Sequence, residues 1–255
     1  MNGVIIKTTG KHYSVKSDSG DILDCRLKGK LRISGIKSTN PFVVGDRVEL
    51  SCESNQWLIL SLHERKNYIL RKSVNLSKQT HIIASNIDQA LLMITFSSPI
   101  TTTAFIDRFL ISANAFGVEV ILVFNKIDLL NEDLKLKHKE LKDIYEKIGY
   151  KCFSISAIND DLSLIKEKIK GKVNMISGHS GVGKSTLINK IQPGLNINTK
   201  EISKSHHQGQ HTTTFSELHD LDFGGAIIDT PGIRGFGLVS LELNQIGNYF
   251  PEFLI

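Results

Sequence analysis

Residues 178–185 read Gly-His-Ser-Gly-Val-Gly-Lys-Ser, which fills the spacing G-x-x-x-x-G-K-[ST] completely. An apolar run, Val173–Ser177, precedes it and a helical pattern, Lys184–Ile191, follows. Between a strand and a helix this pattern predicts a phosphate-binding loop. Backbone N–H groups of residues 181–184 can wrap a phosphate, and the helix N-terminus favours negative charge there. Lys184 would reach the β- and γ-phosphates as the catalytic cation, and Ser185 would ligate Mg²⁺. The bland alternative is a glycine turn that holds nothing, and the full match in this setting disfavours it. The residues expected against the nucleotide are Gly178, His179, Ser180, Gly181, Val182, Gly183, Lys184, Ser185 and Thr186.

Asp229-Thr-Pro-Gly232 follows the apolar run 226–228. A carboxylate at the end of a parallel strand sits where such sheets bind ligands. Asp229 is expected to hold Mg²⁺ through water, and the Gly232 N–H to contact a γ-phosphate. Alone, D-x-x-G is more often a turn; behind a strand and downstream of Lys184 it gains force. Asn125-Lys-Ile-Asp128 follows another apolar run, 118–124. The Asp128 carboxylate can accept from guanine N1–H and the 2-amino group, which adenine lacks. Asn125 can bond the base edge and brace the phosphate loop, while the Lys126 stem covers the base. Ser156-Ala157 would offer the Ala157 N–H to guanine O6. A site built on such bonds rejects an analogue lacking them by roughly 10⁴-fold or more. N-K-x-D alone is a common helix-starting loop; paired with Ser-Ala and a phosphate loop it favours guanine over adenine.

These residues need a scaffold, and the pattern from residue 87 onward supplies one. Runs at 87–96, 118–124, 151–155, Val173–Ser177 and Ala226–Asp229 read as strands. Runs at 102–115, Glu132–Ile148, 162–169 and Lys184–Ile191 read as helices. Strands alternating with helices imply βαβ units and a mostly parallel sheet. Residues 1–66 differ: short alternating runs near 4–6, 13–15, Ile22–Leu27, 48–50 and 57–60 are broken by turns at Ser19-Gly20-Asp21, Gly45-Asp46 and Ser54-Asn55. The count fits a five-stranded barrel of OB type. The expected fold is therefore α/β, a nucleotide-binding domain over 87–239 preceded by a small all-β barrel over 1–66. Polar, basic residues 67–86 read as a linker or hinge, and 240–255 as the start of a C-terminal region.

Charge is uneven. Residues 1–72 hold 13 of the 31 basic residues but only 7 of the 26 acidic ones. Such asymmetry suggests a polyanion partner for the barrel, although a basic solvated surface would read the same. Arg26, Lys28, Lys30 and Arg32 recur every second residue, so an extended chain would set them on one face with no acidic neighbour. They are the candidate RNA contacts. Three scattered cysteines argue against a disulfide framework and for a reducing cytoplasm. The apolar runs are too short to span a bilayer, and no membrane partner is expected.

The motif order is rotated. N-K-x-D and Ser-Ala come first, then the phosphate loop, then Thr212–Thr214 and D-T-P-G. Joining nearby termini of an α/β domain and cutting elsewhere preserves a site while permuting its parts. With G-H-S-G-V-G-K-S-T at 178–186, G-Q-H-T-T-T at 209–214, D-T-P-G-I-R-G-F at 229–236 and Y-F-P-E-F at 249–253, nearly the whole chain resembles the RsgA/YjeQ family of circularly permuted GTPases. The resemblance implies GTP hydrolysis with Mg²⁺, binding to the immature small ribosomal subunit and its ribosomal RNA, and stimulation by the ribosome. That family continues past the F-P-E-F segment into a zinc domain; this chain stops at Ile255 with no suitable Cys cluster, so no zinc ligand is expected within it. A monomer is expected.

The polar stretch 195–211 should be the first switch. Thr212 and Thr213 are the candidates for a second Mg²⁺ ligand. Ile233 stands where Ras-like enzymes hold a water-orienting Gln, and an aliphatic side chain cannot orient water. Catalytic help must come from His211, from an RNA or protein partner, or from backbone groups. Two other functions compete: a P-loop ATPase or kinase, which N-K-x-D with Ser-Ala opposes, and a nucleotide-gated RNA-binding module with a dead site, which intact Lys184, Ser185 and Asp229 oppose.

Overall fold

The computed structural model describes residues 1–10, 12–28, 42–72, 80–197, 216–233 and 243–253. Strands β1 (Asn2–Thr9), β2 (His12–Ser17) and β3 (Ile22–Leu27) form a meander, and β4 (Arg47–Glu53) and β5 (Gln56–Leu62) a hairpin. Strand β3 runs parallel to β5, and β4 returns to pair with β1, so the five strands close on themselves. Closure covers the β1 edge at Asn2–Val4 and leaves its C-terminal part open. Alternation drives the inside: Ile5, Tyr13, Val15, Cys25, Val48, Leu50 and Ile59 point inward together with Phe42. The Ser54-Asn55 turn has both residues at positive φ, 49° and 64°, which suits the twist of a tight hairpin.

Residues 67–86 carry β6 (Tyr68–Lys72) and β7 (Thr80–Ser85), an antiparallel ribbon of its own. The linker expected from polarity is thus paired structure. Its few apolar residues are placed to bury: Ile69 and Ala84 enter the main core, and Leu70 and Ile82 pack on Val43.

The α/β unit follows in the expected order: β8 (Gln89–Ile94), α1 (Thr103–Ala115), β9 (Glu119–Phe124), α2 (Glu132–Ile148), β10 (Lys151–Ser154), α3 (Ser163–Ile169), β11 (Val173–Ser177), α4 (Lys184–Ile191), β12 (Glu217–Asp220) and β13 (Ala226–Asp229). Five strands are parallel in the order β10-β9-β8-β11-β13. Every residue of β8 is buried: the apolar run Ala90–Ile94 predicts this for a central parallel strand, and Gln89 is buried with its amide bonded to Lys168 and Asn174. Helices α1 and α2 cover one face around Phe105, Phe109 and Tyr145. Helices α3 and α4 cover the other around Ile165, Ile169, Leu187 and Ile188.

Strand β12 departs from the parallel pattern. It pairs antiparallel with β13 and, on its other edge, with β1 of the barrel at Lys7↔Glu217. Lys7–Glu217 at 2.9 Å and Lys16–Asp220 at 2.6 Å reinforce the seam. The barrel and the α/β unit therefore share one hydrogen-bonded sheet. A second seam lies beside it, where Gly45 and Asp46 bond the backbone of Ile5 on β1; the Ser85 hydroxyl donates to buried Asp46 at 2.5 Å and the Asn86 amide to the Gly45 carbonyl at 2.8 Å.

Candidate functional site

Four loops leave the C-terminal ends of β9, β10, β11 and β13, and they carry the four sequence motifs. In an open α/β sheet that edge is where ligands bind. The phosphate loop ends on α4, whose first residue is Lys184. The residue is 7% exposed, and its ammonium donates to the carbonyls of Gly178 at 3.1 Å and His179 at 3.0 Å. Burial pulls the Lys184 pKa down to about 8, and the Asp229 carboxylate opposes that shift. Lys184 and Asp229 are thus electrostatic neighbours although 45 residues separate them.

Asn125 is the brace between loops. Its side-chain amide donates to the Val182 carbonyl of the phosphate loop at 2.8 Å, and its oxygen accepts the Ala157 N–H at 2.9 Å. One buried amide thereby locks three motifs together. The Ala157 N–H, expected to face a base, is directed at Asn125 here. Lys126, at φ 63°, spans from the Gly181 carbonyl to the Ser98 carbonyl, both 2.8 Å from its ammonium. Burial lowers its pKa, with Asp128 acting in the opposite direction. Asp128 itself is exposed on a short 3₁₀ turn, Ile127–Leu129. Ser156 is buried, and its N–H is held by Asp160 at 2.7 Å.

The D-T-P-G turn is fixed from below and from the side. The Thr230 hydroxyl donates to the Ile176 carbonyl at 2.7 Å. Gly232 lies against the phosphate loop so closely that a Cβ there would sit 2.7 Å from both Cα and N of Ser180. Ile233 donates its N–H to the Gly178 carbonyl at 3.1 Å, and its side chain is buried in the core with Phe105. The position that could have presented a water-orienting group is anchored inward instead.

Ser185, on the first turn of α4, and Asp229, at the end of β13, offer a hydroxyl and a carboxylate, hard oxygen donors that suit Mg²⁺. His211, Thr212 and Thr213 lie outside the described residues, as do Lys30 and Arg32. Arg26 is exposed on β3 and Lys28 follows its end. The acid-free face expected for them is not what forms: Asp24 shares the outward face with Arg26, and Lys28 pairs with Glu53 at 2.6 Å. Glu53 comes from β4, and spacing along β3 alone carries no sign of it. Sequence reasoning also missed Ser98 and the contact of His179 with Ile233 (2.7 Å), because each is a partner from a distant loop, and Asp160, which closes the Ser156 loop on itself four residues on.

A phosphate loop, D-x-x-G, N-K-x-D and Ser-Ala on one sheet edge, reached in rotated chain order, define a circularly permuted P-loop GTPase. Comparison with known proteins gives the family. The RsgA GTPase family model matches residues 62–239 and the RsgA N-terminal domain model residues 2–57, and the chain belongs to this family. It is 56% identical over 258 residues to the small ribosomal subunit biogenesis GTPase RsgA of Flavobacterium johnsoniae, covering 99% of this chain and 79% of that protein. The protein of the same name from Bacteroides fragilis is 51% identical over 254 residues, covering 99% and 82%. Among solved structures, YjeQ from Thermotoga maritima superposes with TM-score 0.75 at 32% identity, covering 99% of this chain and 82% of that one. YloQ, a circularly permuted GTPase, superposes with TM-score 0.66 at 26% identity, covering 99% and 78%.

Proposed function

We propose that this chain hydrolyses GTP to GDP and phosphate with Mg²⁺ and serves late assembly of the small ribosomal subunit. The observation that carries the nucleotide part is the Asn125 brace, which joins the base-reading loops to the phosphate loop across 57 residues of chain. With Asn125 spent on bracing, Asp128 reads guanine N1–H and the 2-amino group. Ala157 shares its N–H between Asn125 and guanine O6 as a bifurcated donor. Lys126 covers the base with its stem.

Lys184 turns from the loop carbonyls to the β- and γ-phosphates. Ser185, Asp229 and one of Thr212 and Thr213 hold Mg²⁺, which when bound neutralises charge on the phosphate oxygens. The Gly232 N–H meets the γ-phosphate. With the Ile233 side chain in the core, the group that helps the attacking water is His211 or a ribosomal partner. The subunit part of the proposal rests on the names of the relatives and on the basic N-terminal quarter, whose barrel contacts ribosomal RNA through Arg26, Lys28, Lys30 and Arg32. Work on that particle sets the location in the cytoplasm, and no described helix is long and apolar enough to cross a membrane.

Phosphate release with and without purified small subunits tests the whole reading. Unaided turnover is expected near roughly 10⁻⁴ to 10⁻² s⁻¹, rising when subunits are added. Equal rates would remove the ribosomal role, and displacement of bound GTP by ATP as readily as by GDP would remove the guanine assignment.

A further inference from the structure

In a phosphate loop the backbone N–H groups hold the ligand, so the side chain after the first glycine is free to serve another purpose. Here that side chain is His179, half-buried on the flank of the loop facing α1. Its ring packs on Phe105 with centroids 4.1 Å apart and planes inclined by 37°. Its Nδ1 lies 2.7 Å from the Ile233 carbonyl oxygen. A carbonyl only accepts, so Nδ1 carries the proton. Burial lowers the His179 pKa, Lys184 adds to the effect and the Ile233 contact opposes it, which keeps a neutral, single-proton ring.

Ile233 is thus gripped at both ends of its backbone by consecutive loop residues. Its N–H goes to the Gly178 carbonyl at 3.1 Å and its carbonyl to His179. The preceding residue, Gly232, already touches Ser180. We propose that His179 is a positioning residue for hydrolysis: its Nδ1–H holds the Ile233 carbonyl, and through it sets where the Gly232–Ile233 peptide lies against the phosphate loop. Phe105 fixes the plane of the ring so that the proton points one way. In most GTPases a mobile side chain at position 233 would add its own aim; here the side chain is buried, and the backbone must be held from outside. His179 touches no reacting atom in this scheme and acts through Gly232.

The inference rests on the GTP-hydrolysis reading, and the test separates the two. Single-turnover GTP hydrolysis and GDP affinity are measured on the full chain and on three variants. His179→Ala removes ring and donor. His179→Phe keeps the ring on Phe105 and removes the donor. His179→Asn places an amide N–H near the former Nδ1. Misplacing an aligned group by about 1 Å can cost about a hundredfold, so the Ala and Phe variants should slow about ten- to hundredfold. GDP affinity should hold within about twofold and the Asn variant should recover to within about threefold of the parent, a split that marks an interaction used in the hydrolysis step. A Phe variant at the parent rate, an Asn variant no better than Ala, or GDP affinity falling in step with the rate would each overturn the assignment in favour of packing. A parent chain that hydrolyses no GTP would instead remove the reading beneath it.

Discussion

At the scale of single residues, the site divides into groups that read the ligand and groups that hold the readers. Asp128 is exposed on its 3₁₀ turn, while Asn125 beside it is buried with both ends of its amide in use. The two should therefore fail differently. Asp128→Asn replaces an acceptor with an amide that suits xanthine, so GTP affinity should fall by about a hundredfold or more while xanthosine triphosphate gains. Unchanged GTP binding in a competition assay would refute the assignment. Asn125→Ala leaves the Val182 carbonyl and the Ala157 N–H without their partner. It should lower affinity for GTP and xanthosine triphosphate alike and cost about 1–3 kcal/mol of stability per group left unsatisfied, read by urea unfolding. A base-selective loss would show that Asn125 reads rather than braces.

At the scale of elements, contiguous patterns were legible and long-range partners were not. Phosphate loop, helix α4, helix α2 and strand β13 have the limits that period and punctuation indicate, because each is defined by its own residues. Strand β12 is the counter-example. Glu217-Leu-His-Asp220 has one strong apolar residue and becomes a strand only because β13 and β1 flank it. The β6–β7 ribbon hid because its apolar runs, Tyr68-Ile-Leu70 and Ile82-Ile-Ala84, are only three residues long and sit in a polar, basic stretch. The basic face of β3 shows the reverse error, since β4, on the other side of β5, brings Glu53 to Lys28. This sets an expectation for the barrel. Replacing Arg26, Lys30 and Arg32 with Ala should flatten the salt dependence of RNA binding by roughly 0.7–0.9 in log–log slope for each phosphate that is no longer neutralised. Lys28→Ala alone should change it less, because its charge is already matched by Glu53. RNA titrations at several salt concentrations decide it, and an equal slope change for Lys28 would mean the ion pair opens on binding.

At the scale of the whole molecule, two seams bind barrel to α/β unit. One is the β1–β12 pairing; the other centres on Asp46, whose carboxylate takes both Arg65 Nε and Nη2 at 2.6 Å and the Ser85 hydroxyl. Gly45, at φ 93°, lets the backbone close on Ser85, since a Cβ there would run into the Ser85 carbonyl. Both members of the Asp46–Arg65 pair are almost fully buried. Removing one partner of a buried pair costs about 3–5 kcal/mol, because the other charge stays behind uncompensated. The chain has a single tryptophan, Trp57, on β5 of the barrel, while helices α1 to α4 dominate the far-ultraviolet signal. Fluorescence therefore follows the barrel and circular dichroism follows the α/β unit. If the shared sheet and the Asp46 junction make one cooperative body, both probes should give coincident urea transitions. Asp46→Ala should shift the Trp57 transition to lower urea by the equivalent of about 3–5 kcal/mol and separate it from the helical one. Separate transitions in the parent chain would show that the barrel folds independently and that the seams only align it. Coincident transitions that persist in Asp46→Ala would put the coupling in the β1–β12 ladder, where Lys7→Glu against Glu217 should then divide them.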